Sequence, residues 1–246
     1  MMTPRDIVLA NLNHTGAPRP GMTFDGDRVN DMLGVGIGAS QNYTRKRWTE
    51  GDKEYYDDEW GNLWVRFVGG CANGEVVTAA LPSWDGLDAL KMPDYEDSSR
   101  YESMKETFAQ PTDKFKLAHI GGWIFDNARY LRTMEVYFMD MAMYPDELKQ
   151  LHSKVAKVYE AKIHGAGSAG ADGIMIGEDM GTQTGLLFSP DMFREFFKEE
   201  YTRLIDLAHE FDMKVLMHSC GMNWEIIDDL IDCGIDCFQF DKPALY

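Results

Sequence analysis

A histidine and a cysteine two residues apart, His218 and Cys220, close an apolar run that begins at Val215. In extended backbone, residues i and i+2 project to the same side. This spacing therefore aims an imidazole and a thiol at one point. Imidazole nitrogen and thiolate sulfur are common zinc donors, and a bound metal would hold the thiol deprotonated. The bland alternative is a buried cysteine beside a hydrogen-bonding histidine. A strand end followed at once by Gly221 favours metal. Two donors do not complete a centre, so the rest of the chain has to supply others.

Glu178 and Asp179 follow a second apolar run, Gly173 to Ile176. Either acid could act as a metal ligand, a general base or a hydrogen-bond acceptor for a substrate cation. They could instead satisfy backbone donors in the loop from Gly177 to Gly185. Neighbouring residues in a strand point opposite ways, so at most one of the two is expected to face a site. Gln183 in the same loop is a weaker, substrate-binding candidate. Gln239 and Asp241 end the last apolar strand and approach the metal if that strand lies beside the His218 strand. His119 ends an earlier strand and is either substrate-binding or structural. Cys233 closes a short helix and Cys237 lies inside an apolar strand, so both read as core residues, as does Cys71. His14, His152, His164 and His209 carry no specific signal.

The elements that would position these groups alternate between short strands and helices. Thr3 and Pro4 suit the N-cap and first position of a helix over residues 3–13. The aromatic-rich segment from Tyr55 to Phe67 reads as a hairpin about Gly61-Asn62, forming a lid, a subunit contact or a satellite core. Phe115 to Ile120, Gly173 to Ile176, Lys214 to Met217 and Ile235 to Phe240 read as strands. Pro145 to His164, Ser189 to about Phe211 and Trp224 to Cys233 read as helices. Residues 22–50 show no clear period, and 22–70 as a whole read as an irregular, hairpin-bearing insertion within one domain spanning 1–246. Strands alternating with helices imply a parallel α/β sheet, either a barrel or a doubly wound sheet. A Gly-rich phosphate loop opening a helix is lacking, which disfavours the doubly wound nucleotide-binding type. Reactive residues at the C-terminal ends of three strands suit a (β/α)8 barrel. About six strands can be counted, and the chain stops just after one, so the last βα units are expected to be missing.

Composition narrows the function classes. There are 41 acidic and 24 basic residues among 246, a net charge of −17, which disfavours nucleic acid. Four cysteines without regular spacing do not make a disulfide framework. Reduced thiols in the cytoplasm are expected, with no signal peptide and no span of membrane length.

Three segments carry a family resemblance: Ile176-Gly177-Glu178-Asp179-Met180-Gly181-Thr182-Gln183, then Leu187 to Phe196, then Lys214 to Gly221 with its His218-Ser219-Cys220. They resemble the uroporphyrinogen decarboxylase superfamily, and within it the cobamide-dependent methyltransferase branch. Arg5 to His14, Asp58 to Gly61 and Phe125 to Arg132 also fit. The resemblance is specific over residues 173–239 and loose over 15–55. It implies a (β/α)8 barrel and a zinc site in which His218 and Cys220 match the family's His-x-Cys pair, with a third cysteine expected beyond Tyr246. It also implies methyl transfer between a corrinoid (methylcobamide) and a thiol or methylated small molecule, with a corrinoid protein as partner. A homodimer is left open. The alternatives are uroporphyrinogen decarboxylation and a non-catalytic corrinoid- or partner-binding subunit. Against decarboxylation, the region from Gly16 to Asp31 offers only Arg19 and Arg28 where the decarboxylases carry an arginine-rich, carboxylate-holding segment.

Overall fold

Every strand that carries a candidate residue pairs with the next in chain order, all parallel. The structure is a computed structural model describing residues 2–24, 28–70 and 74–241. Cys71 lies outside the described residues. The elements are α1 (Pro4–Leu12), β1 (Met32–Gly36), β2 (Arg47–Glu50), β3 (Lys53–Asp57), β4 (Leu63–Phe67), β5 (Glu75–Thr78), α2 (Glu102–Ala109), β6 (Phe115–His119) and α3 (Ile124–Arg132). There follow α4 (Met134–Met143), α5 (Pro145–Ser168), β7 (Gly173–Gly177), α6 (Pro190–Phe196), α7 (Lys198–Glu210), β8 (Lys214–Ser219), α8 (Ile227–Asp232) and β9 (Cys237–Phe240). Among the described residues the parallel sheet runs β1-β6-β7-β8-β9. Helices connect each strand to its neighbour from β6 onward, which is the winding of a (β/α) barrel.

Two compact units divide the chain. The first comprises Met1–Gly38, Tyr95–Trp123 and Tyr159–Tyr246 and holds the parallel sheet. Its α1 starts on a capping box: the Asp6 N–H donates to Thr3 Oγ1 at 3.1 Å, and the Thr3 N–H donates to Asp6 Oδ2 at 3.0 Å. The apolar side of α1 covers one face of the sheet, where Val8, Phe115, Leu117 and Leu216 form a buried cluster with Met32, Met175 and Cys237 against it. The opposite face carries Ala118, Ile174, Val215 and Met217, all without solvent contact. Strands apolar on both faces are what a helix-covered parallel sheet demands.

Register fixes which residues share the α1 face. His119 pairs with Met175, Met175 with Leu216, and Leu216 with Cys237. Two residues further along, Gly177 pairs with His218 and His218 with Gln239. His119, His218 and Gln239 therefore lie on the same face as the α1-covered cluster, at its C-terminal edge.

The stretch from Ser189 to Phe211 is two helices rather than one. Ser189 caps α6 through the Met192 N–H at 3.3 Å, and the backbone then breaks at Phe197, with φ −126° and ψ −38°, before α7 starts. Phe193, Phe196, Phe197 and Tyr201 are all buried, so the apolar pattern continues through the break.

The second unit comprises Ala39–Asp94 and Ile124–Val158. It holds the antiparallel sheet β2-β3-β4-β5. The expected hairpin is present as β3 and β4, with Gly61 at φ +89° in the turn. Asp58 organises that turn, accepting from the Asn62 N–H at 2.9 Å and from Trp64 Nε1 at 2.6 Å. The buried Tyr56 and Trp64 rings stack 6.1 Å apart, so the aromatic segment builds a core of its own.

Candidate metal centre

β7 and β8 end side by side, and their exits carry the site. Just past β8, Cys220 Sγ lies 3.4 Å from His218 Nε2. The i, i+2 geometry read from the sequence thus brings the two donors together. Just past β7, Asp179 Oδ1 accepts the Cys220 backbone N–H at 3.0 Å. One ligand atom from each of Asp179, His218 and Cys220 lies within 4.8 Å of the others, the cluster of metal-ligating type among the described residues. On the far side of the imidazole, His218 Nδ1 and Gln239 Oε1 are 3.0 Å apart.

The loops that present these groups are held in two ways. Gly221 has φ +76°, a conformation that side-chain-bearing residues rarely adopt. Its Cα also abuts the backbone of Gly181, and a Cβ there would overlap the Gly181 carbonyl. A Cβ on Gly181 would come within 2.6 Å of the Met222 nitrogen. The two loops therefore touch backbone to backbone, sealed by the Met222 N–H donating to Thr182 O at 2.8 Å. Beneath them, fully buried Asn223 donates through Nδ2 to Ser219 Oγ at 2.8 Å and to Cys220 O at 3.3 Å. Ser219 in turn donates to Glu178 O at 2.7 Å.

The other predicted residues fall differently. Glu178 is 1% exposed, and its N–H donates to His218 O at 3.0 Å, so it belongs to the β7–β8 ladder. Gln183 lies on the exposed part of its loop, and Asp241 is exposed after β9. The His119 ring lies over Gly34 of β1, where a Cβ would stand 2.6 Å from its Nε2. Partial burial there pulls the His119 pKa below its usual value. Cys233 is buried, with Sγ 3.8 Å from Lys198 O, and Cys237 packs in the α1 cluster; burial raises both thiol pKa values. Both are core residues, as their sequence positions suggest.

Sequence reasoning did not single out Asn223, Gly181 or two buried cations. Arg100 stacks 3.7 Å over the Tyr95 ring and donates from Nε to Gly38 O at 3.2 Å. Lys162 donates to Ile120 O at 3.0 Å and lies 4.5 Å from the same ring. Arg100, Lys162 and Asn223 come from segments without a motif, and only tertiary contact reveals them.

The uroporphyrinogen decarboxylase (URO-D) family model matches residues 67–244, nearly three quarters of the chain. The chain belongs to the uroporphyrinogen decarboxylase family. The matched span contains both loops that carry Asp179, His218 and Cys220 and leaves β1 to β3 outside. No curated protein matches the chain. A solved methyltransferase from Methanosarcina mazei matches with a TM-score of 0.56 and 21% identity, over 68% of this chain and 49% of that one. The chain thus spans about half the length of that structure, and the likeness establishes the shared fold. Among the described residues no helix is long and apolar enough to cross a membrane.

Proposed function

We propose that this URO-D family chain is a zinc-dependent methyltransferase that moves a methyl group between a corrinoid and a thiol or methylated small molecule. The observation that carries the reading is the convergence of Asp179, His218 and Cys220 within 4.8 Å at the C-terminal ends of adjacent strands. The donors fit zinc. Zn–S and Zn–N bonds of ~2.3 and ~2.05 Å at a tetrahedral angle place sulfur and nitrogen about 3.5 Å apart. Cys220 Sγ and His218 Nε2 are 3.4 Å apart. These two residues would hold the ion.

Zinc held by His218 and Cys220 would lower the pKa of an incoming thiol and so supply a thiolate nucleophile near neutral pH. Asp179 lies in the same cluster and would accept the proton that the thiol gives up. Its hydrogen bond from the Cys220 N–H ties that carboxylate to the loop bearing the donor thiol. Glu178 is buried, and its backbone ties the two loops together through bonds to Ser219 Oγ and His218 O. A corrinoid-carrying protein is the partner this reading implies.

Decarboxylation of a polyanionic tetrapyrrole finds less support. The arginines offered for its carboxylates are engaged elsewhere: Arg19 forms a two-point ion pair with buried Asp31 at 2.6 and 2.8 Å, and Arg28 stacks 5.3 Å over Phe24. The test is methyl transfer from methylcobalamin to a panel of small thiols, followed by loss of the methyl–cobalt absorbance. Thiol-dependent demethylation by the protein, absent in Cys220→Ser, supports the reading. Release of carbon dioxide from uroporphyrinogen with no demethylation would replace it.

A further inference from the structure

We propose that Gln239 is the positioning residue for His218: by accepting the Nδ1 proton it fixes the tautomer that leaves Nε2 free to bind metal. The inference rests on the zinc reading above and adds a role that the donor cluster by itself does not contain.

The geometry comes from register rather than chance approach. His218 of β8 and Gln239 of β9 are direct partners in the parallel ladder. Both lie on the α1 face, so their side chains stand next to each other along the strand ends. The two ring nitrogens are both accounted for. Nδ1 meets Gln239 Oε1 at 3.0 Å, and Nε2 meets Cys220 Sγ at 3.4 Å. An amide oxygen can only accept a hydrogen bond, so with Oε1 turned to the ring, as here, Nδ1 carries the hydrogen. A neutral imidazole has one N–H; Nε2 is then the lone-pair nitrogen, and it faces the thiol. Donation of the second ring N–H to an amide or carboxylate is the usual way a ligating histidine is oriented, and losing such a partner costs about 10–100-fold in metal affinity. Gln239 contacts the cluster at His218 Nδ1, so its effect passes through the imidazole.

The test uses Gln239→Leu, which removes the acceptor at a side chain on the exposed edge of β9, and Gln239→Glu, which keeps an acceptor oxygen. Two readouts are needed. In metal-free protein, long-range nitrogen–proton NMR of His218 should show the Nδ1–H tautomer in the native chain and in Gln239→Glu. Gln239→Leu should show a mixture or the Nε2–H form. In competition with a chelating dye, zinc affinity should fall about 10–100-fold in Gln239→Leu and stay within a few-fold of native in Gln239→Glu. Unchanged tautomer and zinc affinity in Gln239→Leu would overturn the proposal, as would an equal loss in Gln239→Glu. Equal melting temperatures of the metal-free variants show that a loss is not unfolding. If the native chain binds no zinc through His218, the functional reading fails first, and the tautomer measurement still decides the role of Gln239.

Discussion

Replacing Gly221 by alanine should damage the site more than its size suggests. Gly221 has φ +76°, and a residue with a Cβ there gives up about 1–2 kcal/mol in backbone strain alone. The new Cβ would also overlap the backbone of Gly181, which has no side chain to swing aside. Relief requires the two loops to part. That stretches the Met222 N–H to Thr182 O bond, 2.8 Å, and the Cys220 N–H to Asp179 Oδ1 bond, 3.0 Å. A neutral hydrogen bond contributes about 1 kcal/mol and one to a charged acceptor about 1.5–3 kcal/mol. If both bonds are lost, the expected loss is roughly 3.5–6 kcal/mol, a fall of about 7–24 °C in melting temperature for a chain of this size. Gly181→Ala separates the two causes. Its backbone φ is not positive, but its Cβ would meet the Met222 nitrogen at 2.6 Å, so it keeps the collision and omits the strain. Gly36→Ala is the control, since nothing lies within 4 Å of a Cβ there. Thermal and urea unfolding of the three variants, with zinc affinity measured beside them, decides the matter. If Gly221→Ala and Gly181→Ala melt within about a degree of the native chain, the loops are not locked by contact and the argument is wrong.

Other outcomes follow from the same reasoning. Asp179→Asn should keep zinc but slow thiol methylation by about 10²–10⁴-fold, the usual worth of a positioned proton acceptor; loss of zinc instead would make Asp179 a ligand. In the second unit, Arg132 and Asp140 form a buried pair at 2.7 Å, so Asp140→Ala, which strands a buried guanidinium, should lower stability by about 3–5 kcal/mol in urea. Asp31 is held below its ordinary pKa of 3.8, first by its hydrogen bonds from Arg19. A depressed carboxylate contributes stability above its unfolded pKa and loses it as pH falls through the folded value. The urea midpoint should therefore drop below about pH 4, less steeply in Asp31→Asn; identical slopes would refute the pairing.

Much of the chemistry was legible because it depends on local spacing. His218 and Cys220 converge as the period of a strand requires, and the opposed directions of neighbouring residues separate buried Glu178 from Asp179, which joins the cluster. The single long helix read from Ser189 onward failed because buried Phe196 and Phe197 carry an apolar pattern across the break. β1, Met-Leu-Gly-Val-Gly, was invisible within residues 22–50 because its glycines erase the alternation; Gly34 is small because the His119 ring occupies the space a side chain would fill. β2 is exposed along its whole length, so it has no buried face to betray it. Asn223 and the Gly181–Gly221 contact arise from loops meeting in space, which no period encodes. The family assignment was readable because its three main motif segments, between Ile176 and Gly221, fall inside the matched span, whereas Arg5 to His14 and Asp58 to Gly61 lie outside it.

A metal at His218 and Cys220 is the central requirement of the proposed chemistry. Zinc content of the purified native protein should be measured by atomic emission beside His218→Ala and Cys220→Ser, after equilibration with limiting zinc and gel filtration. About one zinc per native chain is expected, with a clear loss in both variants and all three equally folded by circular dichroism. Equal metal in all three, or none in the native protein, would contradict the proposed chemistry.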